Sequence, residues 1–296
     1  MKESGLIEDR IRSSQRYNTL SYRFMNFTGR TIVFLIVSIV AIFMIAPFAW
    51  MVMTSIKPKP EIFTLKIRWI PSRVTFESYR DVFAAAPFFR YMLNSIFVSS
   101  VDVASSLLFS TMTGYAFAKF KVRGANLIFM IILSGLMIPF SVRLIPMYLF
   151  MVNLGFSDTY FGVIAPNLLS IMGIFLLRQY AVSLPDELID FARIDGASEP
   201  RIFFVIIMPL CKPAMAALGI FKFMFTFNDF LWPLVMINDV SKRTITVGLA
   251  MFSGYYTTYY GQFMAASTFA VIPIFIVYLF FQRQIIQGIA LTGLKG

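Results

Sequence analysis

Between residues 31 and 54 the chain carries no charged side chain. At about 1.5 Å of rise per residue, a helix over this run crosses the ~30 Å hydrocarbon core of a bilayer. Five more apolar stretches follow, separated by polar connections, at 91–119, 126–149, 161–177, 213–237 and 263–281. Six such stretches predict an all-α integral membrane protein with six transmembrane helices. Pro139 and Pro146 fall inside the third, so its outer end is expected to kink or break. The composition agrees: 58% of the residues are hydrophobic and only 14% charged, where a soluble domain carries nearer a quarter.

The net charge of +11 then belongs to helix flanks at a membrane and not to a nucleic-acid interface. Residues 1–30 form a polar, basic leader that is expected to be flexible and cytoplasmic. The first apolar run is too long for a signal-peptide core and reads as an uncleaved helix. A tight basic turn at Lys119, Lys121 and Arg123, and a turn at 153–160 with no Lys or Arg, set the orientation with both termini inside. The connection 57–90 runs against this, because it holds seven Lys/Arg on the side assigned to the exterior. The charge rule is strongest for short loops, and a segment of this length can still be translocated.

The sequence has no histidine and one cysteine, Cys211. Histidine acid–base chemistry, Ser-His triads, histidine metal sites and an internal disulfide are all excluded, and no catalytic or metal-binding set is expected. No Gly-Lys dipeptide occurs, so the chain has no phosphate-binding P-loop of its own.

One polar island stands out. Residues 184–209 hold five of the chain's 15 acidic residues, between two apolar stretches. The pattern predicts helix–turn–helix. Ser183 caps the first helix, Pro185 lies in its first turn, and Asp186 and Glu187 complement the helix end. Gly196 terminates that helix in a left-handed conformation; Ser198 and Pro200 start a second, and Pro209 stops it. Two capped helices make either a docking knob for a partner or an ordinary cytoplasmic loop.

Charges inside apolar stretches are costly and informative. Asp102 and Lys222 each lie about nine residues into their spans, near mid-membrane at ~1.5 Å per residue. They are expected to pair, as a structural bridge or as a polar element of a path. Asn228, Asp229, Phe230 and Trp232 combine amide, carboxylate and aromatic faces, which suits sugar recognition; the competing explanation is a helix cap or a break at Pro233. Tyr255, Tyr256, Tyr259 and Tyr260 fit an interfacial aromatic belt.

The motif Asp190-Phe-Ala-Arg-Ile-Asp195-Gly196-Ala197, followed by Ile206-Ile-Met-Pro209, resembles the cytoplasmic loop of permease subunits of binding-protein-dependent ABC importers. The family pattern is Glu-Ala-Ala, two residues, Asp-Gly-Ala, then an apolar stretch ending in Leu-Pro. Here Asp190 replaces Glu, Phe191 replaces the first Ala and Met208 replaces Leu. Asn94-Ser95, Pro139 with Ile145-Pro146, Phe175-Leu-Leu-Arg178-Gln179, Phe227-Asn228-Asp229-Phe230, Trp232-Pro233-Leu234 and the end from Gln282-Arg283 to Gly293-Leu294-Lys295-Gly296 are similar to the carbohydrate branch, the maltose-type inner permease.

The resemblance implies a permease domain over 31–296 whose loop 179–212 is a coupling helix-turn-helix between spans 4 and 5. Its ATPase-coupling residues would be Asp190, Phe191, Ala192, Asp195, Gly196 and Ala197. It implies a homologous second permease, two ATPase subunits that bind MgATP, an extracytoplasmic solute-binding protein, and a place in the bacterial inner membrane. It implies no cofactor in this chain and no enzyme activity of its own. Two alternatives stay open: an ion-coupled secondary transporter using Asp102 and Asp229, and an importer of a non-sugar solute such as a glycerol phosphate ester.

Overall fold

The computed structural model describes residues 2–64, 68–253 and 259–293, with side chains over 29–64, 68–253 and 259–282. Every secondary-structure element among the described residues is a helix, with no strand among them. Three helices are long and apolar enough to cross a membrane: Gly29–Ser55, Phe88–Lys119 and Tyr260–Gln282. Three bent pairs pass the same test, giving up to six spans if each pair counts as one.

The first apolar stretch is the distal part of one helix, Lys2–Ser55, so the leader expected to be flexible continues the helix backward. No proline interrupts the chain before Pro47, and nothing in the local sequence stops the helix. At the other end the helix Tyr260–Gly293 runs through most of the expected tail. Residues 255, 256 and 294–296 lie outside the described residues, and with them two tyrosines of the expected belt and the last part of the terminal motif.

The bends are where the sequence reading needed most correction. The third stretch breaks at one of its two prolines, as expected: Ala125–Met137 and Phe140–Asn153 meet at 104°, hinged on Pro139, while Pro146 sits inside the second helix without breaking it. The fourth stretch breaks too, at 42°, between Tyr160–Asn167 and Ile171–Val182. Ser170 caps the restart, its hydroxyl accepting from the Gly173 amide at 3.0 Å. Ahead of the fifth stretch, Glu199–Leu210 and Lys212–Phe227 turn by 75° at Cys211. Pro209 lies one residue before the end of its helix at Leu210. It has no N–H to give the Val205 carbonyl, and residues Phe203–Ile207 widen into a π-helical turn beside it.

The Phe88–Lys119 helix is the centre of the fold, with 39% of its most apolar stretch buried against none in Gly29–Ser55. It packs on Ile171–Val182 and Lys212–Phe227 through small residues. A Cβ on Gly114 would lie 2.8 Å from the Arg178 amide nitrogen, and one on Gly173 would lie 2.8 Å from the Ser110 hydroxyl. Close backbone approach through Gly and Ser is the usual way helices associate in lipid, where apolar burial gives no drive.

Candidate functional site

The acidic island folds as two short helices, Glu187–Ile194 and Glu199–Ile202. Gly196 has φ of +78°, as a left-handed terminator requires. The Ala197 amide donates to the Ala192 carbonyl at 2.9 Å and the Gly196 amide to the Arg193 carbonyl at 3.0 Å. These are the paired bonds of a Schellman turn, which satisfy carbonyls left over at the helix end. The start differs from the sequence reading. Ser183 is the C-terminal cap of Ile171–Val182 and donates to the Tyr180 carbonyl at 2.7 Å. Asp186 holds the N-cap position without a side-chain cap bond, because its carboxylate is taken by Lys119 at 2.5 Å.

The helix Glu187–Ile194 is amphipathic. Ile189 and Ala192 are buried, in one core cluster with Tyr115, Leu177, Ile202 and Ile207. On the other side Leu188, Phe191 and Ile194 are 41%, 65% and 80% exposed. Their spacing of three puts them on one face. Asp190 and Asp195 are exposed beside them.

Two contacts unseen in the sequence lock this element to the central helix. Lys119 Nζ, at its end, also donates to the Leu184 carbonyl at 2.6 Å. The Tyr115 hydroxyl donates to Glu199 at 3.3 Å, and Glu199 in turn accepts from Arg193 Nε at 2.8 Å across the turn. Lys119 holds the Asp186 carboxyl below its ordinary value, and the Glu199 hydrogen bond raises the Arg193 guanidinium. Lys119 reads in the sequence only as a topology signal; its distance of 67 residues from Asp186 hides the bridge.

Inside the apolar region, Lys222 Nζ lies 3.0 Å from Asp102 Oδ2. Asp102 is fully buried, and the side chain of Lys222 is 11% exposed. The Thr226 hydroxyl, one turn past Lys222, donates to the same carboxylate oxygen. The helix Lys212–Phe227 then ends, and the chain restarts as Leu231–Met236. The break precedes Pro233 and is caused by it. Without an N–H at 233 the Asp229 carbonyl lacks a helical donor, and the Thr246 hydroxyl serves it at 2.7 Å.

The residues at this break part company. Asn228, Asp229 and Phe230, with Phe221, Met224, Phe225 and Leu231, line an open cleft of about 610 Å³. The Asn228 amide donates to the Met224 carbonyl at 2.8 Å, so it also caps its own helix. Trp232 does not reach the cleft. It is fully buried, and its indole N–H donates to the Val163 carbonyl at 3.1 Å. Asn94 and Ser95 serve the far end of the central helix. Asn94 donates to the carbonyls of Ser241 and Arg243 at 3.0 and 2.9 Å, and Ser95 accepts from the Ile245 amide at 2.8 Å.

Residues 106–291 match the family described as binding-protein-dependent transport system inner membrane component. The chain is 38% identical over 269 residues to the arabinooligosaccharides transport system permease protein AraQ of Halalkalibacterium halodurans, covering 90% of this chain and 95% of that one. It is 34% identical over 239 residues to the sn-glycerol-3-phosphate transport system permease protein UgpE of Escherichia coli, covering 78% and 85%. In fold it is similar to a chain from the crystal structure of a bacterial ABC transporter involved in the import of the acidic polysaccharide alginate, with a TM-score of 0.76 at 24% identity over 85% of this chain and 94% of that one. The chain belongs to the binding-protein-dependent transport system inner membrane component family.

Proposed function

We propose that this family member is one of two permease subunits of an ATP-driven carbohydrate importer, with six spans, both termini cytoplasmic and its coupling loop at 179–212. ATP hydrolysis belongs to separate ATPase chains, which bind MgATP, and an external solute-binding protein delivers the sugar. Closure of the ATPases pushes on the helix pair, and the membrane helices reopen the path toward the other side.

One observation carries the coupling role. The helix Glu187–Ile194 is fixed to the core on one face and presents Leu188, Phe191 and Ile194 on the other. An exposed apolar stripe with an acidic rim suits a helix laid into a partner's groove. Its rigid attachments through Lys119 and Tyr115 let a push there reach the central helix. Asp190, Phe191, Ala192, Asp195, Gly196 and Ala197 are the coupling residues: Phe191 the anchor, Asp190 and Asp195 the rim, Gly196 and Ala197 the turn, Ala192 the inward contact.

Carbohydrate is favoured over a phosphate ester by the chemistry of the cleft. Its lining offers one carboxylate, one amide and aromatic faces, and no cation. Sugar hydroxyls use such donors and acceptors, while an anionic ester calls for Arg or Lys. Asn228, Asp229 and Phe230 are therefore assigned to the substrate path, and Trp232 to its support. An ion-coupled mechanism is disfavoured because Asp102 is already neutralised by Lys222.

The test is uptake and ATP hydrolysis by the reconstituted importer carrying Phe191→Asp or Gly196→Pro. Proline cannot adopt φ of +78° and has no amide for the Arg193 carbonyl. Assembly is expected to persist while sugar-stimulated hydrolysis and uptake fall at least about tenfold, the equivalent of ~1.4 kcal/mol of lost coupling. Normal uptake in both variants would remove the coupling role.

A further inference from the structure

The connection 57–90 carries cations that the expected topology leaves without a purpose, and its geometry supplies one. After Ser55 the chain turns over residues 59–63, where Phe63 meets the Tyr260 ring edge to face at 5.1 Å, and then returns to the first helix. It folds back along it. The Thr75 amide donates to the Ile56 carbonyl at 2.9 Å, and the rings of Trp50 and Trp69 meet edge to face at 5.2 Å. Lys57 holds the fold-back in place: its ammonium lies 3.9 Å over the Trp50 ring and donates to the Arg68 carbonyl at 2.6 Å. Trp50 is five residues before Ser55, so Trp69 is drawn down about 7.5 Å along an apolar helix.

What this returning segment exposes is apolar and cationic together. Trp69, Ile70, Val74 and Phe76 are 55%, 79%, 55% and 67% exposed. Arg68 and Arg73 are exposed between them and make no ion pair among the described residues. Of the nearby acids, Glu61 accepts from the Ser72 amide and hydroxyl, Asp81 pairs with Lys59 at 2.6 Å, and Glu77 lies in the first turn of the following helix.

We propose that residues 68–76 form an interfacial foot that inserts Trp69 and Ile70 at the headgroup–acyl boundary beside the first span, with Arg68 and Arg73 binding anionic phospholipid headgroups. The inference rests on Gly29–Ser55 being a membrane span. Two features select lipid over a soluble partner. The Trp69 ring sits level with the last turns of an apolar helix, against Trp50, and Thr75 joins the chain at Ile56 just past its end. Arg68 and Arg73 flank Trp69 and Ile70 in the chain, and cations beside exposed apolar residues at the end of a span suit an amphipathic segment in the interface. Cations held by outer-leaflet phosphates also explain why this loop departs from the charge rule.

The sequence has one cysteine, Cys211, which is buried, so a nitroxide can be placed by Ile70→Cys, and by Val37→Cys within the span as a control. The importer is assembled with cysteine-free partner subunits in nanodiscs of phosphatidylcholine and phosphatidylglycerol. The label at 70 is expected to collide more with oxygen than with a water-soluble nickel chelate. In detergent, native mass spectrometry should show phosphatidylglycerol affinity weakened roughly tenfold or more by Arg68→Gln with Arg73→Gln, with phosphatidylcholine unaffected. Nickel-dominant collisions at 70, shielding from both reagents by a protein partner, or unchanged phosphatidylglycerol affinity would each overturn the proposal. Nickel access at 37 as well would instead overturn the spanning assignment beneath it.

Discussion

Replacing Asp102 by Asn should destabilise the protein mainly through what it does to Lys222. The asparagine oxygen can still accept from Thr226, so the hydroxyl is not orphaned. The lysine ammonium, 3.0 Å away with its side chain 11% exposed, loses its counter-charge. Removing one member of a buried pair costs roughly 3–5 kcal/mol. The lower end applies, because a long lysine stem can move its head toward water. About 3 kcal/mol corresponds to roughly a 150-fold change in the folding equilibrium.

Lys222→Met should cost a similar amount, leaving a fully buried carboxylate with only Thr226. The two together should not cost the sum. With both charges gone nothing is stranded, and the double variant should be about 3 kcal/mol more stable than additivity predicts. The assay is unfolding of the purified chain in mixed micelles, followed by tryptophan emission. Trp232 lies fully buried among residues packed on the central helix and reports loss of that packing. Additive losses would mean that the two charges act independently, and the account of the pair as a bridge between the 88–119 and 212–227 helices would fail.

Two further predictions concern the packing around the helix pair. Lys119 depresses the Asp186 carboxyl below its ordinary 3.8, so this contact is intact above that value and is lost as pH falls through the lowered one. Hydrogen exchange over 184–197 should therefore stay flat from neutral pH to about 4, after correction for intrinsic rates, and quicken only below it. In Lys119→Met the same amides should exchange fast at every pH; an unchanged pattern would deny the bridge any anchoring role. Gly114→Val would put a side chain within 2.8 Å of the Arg178 backbone and 3.0 Å of the Leu177 carbonyl carbon. Overpacking of this kind costs about 1–3 kcal/mol, readable as lowered thermal stability, and a variant as stable as the parent would contradict the close approach.

Much of the site was legible because its residues break a local rule. An acidic run in a basic apolar chain marks 184–209, and a glycine after a helical run marks its turn. Asp102 and Lys222 announce themselves as charges within apolar stretches. Other features were hidden because periodicity does not encode direction. An apolar run without an internal signal reads the same whether its helix is straight or bent, so the 42° bend between Asn167 and Ile171 did not appear. Trp232 was misplaced for a related reason. Aromatic residue type suits a sugar face and a core equally, and only the fold tells that Val163 takes its N–H.

One signal could have exposed the breaks. Along the central helix, Ser95, Ser99, Asp102, Ser106 and Ser110 recur at intervals of three or four, and all five are buried. A polar stripe on a membrane helix needs partners, and unbroken neighbouring helices have no carbonyls or amides to spare. The Ser106 hydroxyl donates to the Asn167 carbonyl at 3.0 Å and that of Ser110 to the Ser170 carbonyl at 3.3 Å, both at the 42° bend. Ser95 takes the amide of Ile245, and Asp102 takes Thr226 in the last turn before the helix ends at Phe227. Irregular backbone at membrane depth persists only where protein satisfies it, and here Ser95, Ser106 and Ser110 do so at three levels of one helix face, while Ser99 is buried without a partner among the described residues. The consequence for transport is mechanical. The cleft-lining residues 228–230 hang from a turn that Asp102 grips through Lys222 and Thr226, while the same helix ends in Lys119, which grips the coupling pair. On the proposed assignment, a displacement of the helix pair is carried by this one helix to the cleft that residues 228–230 line.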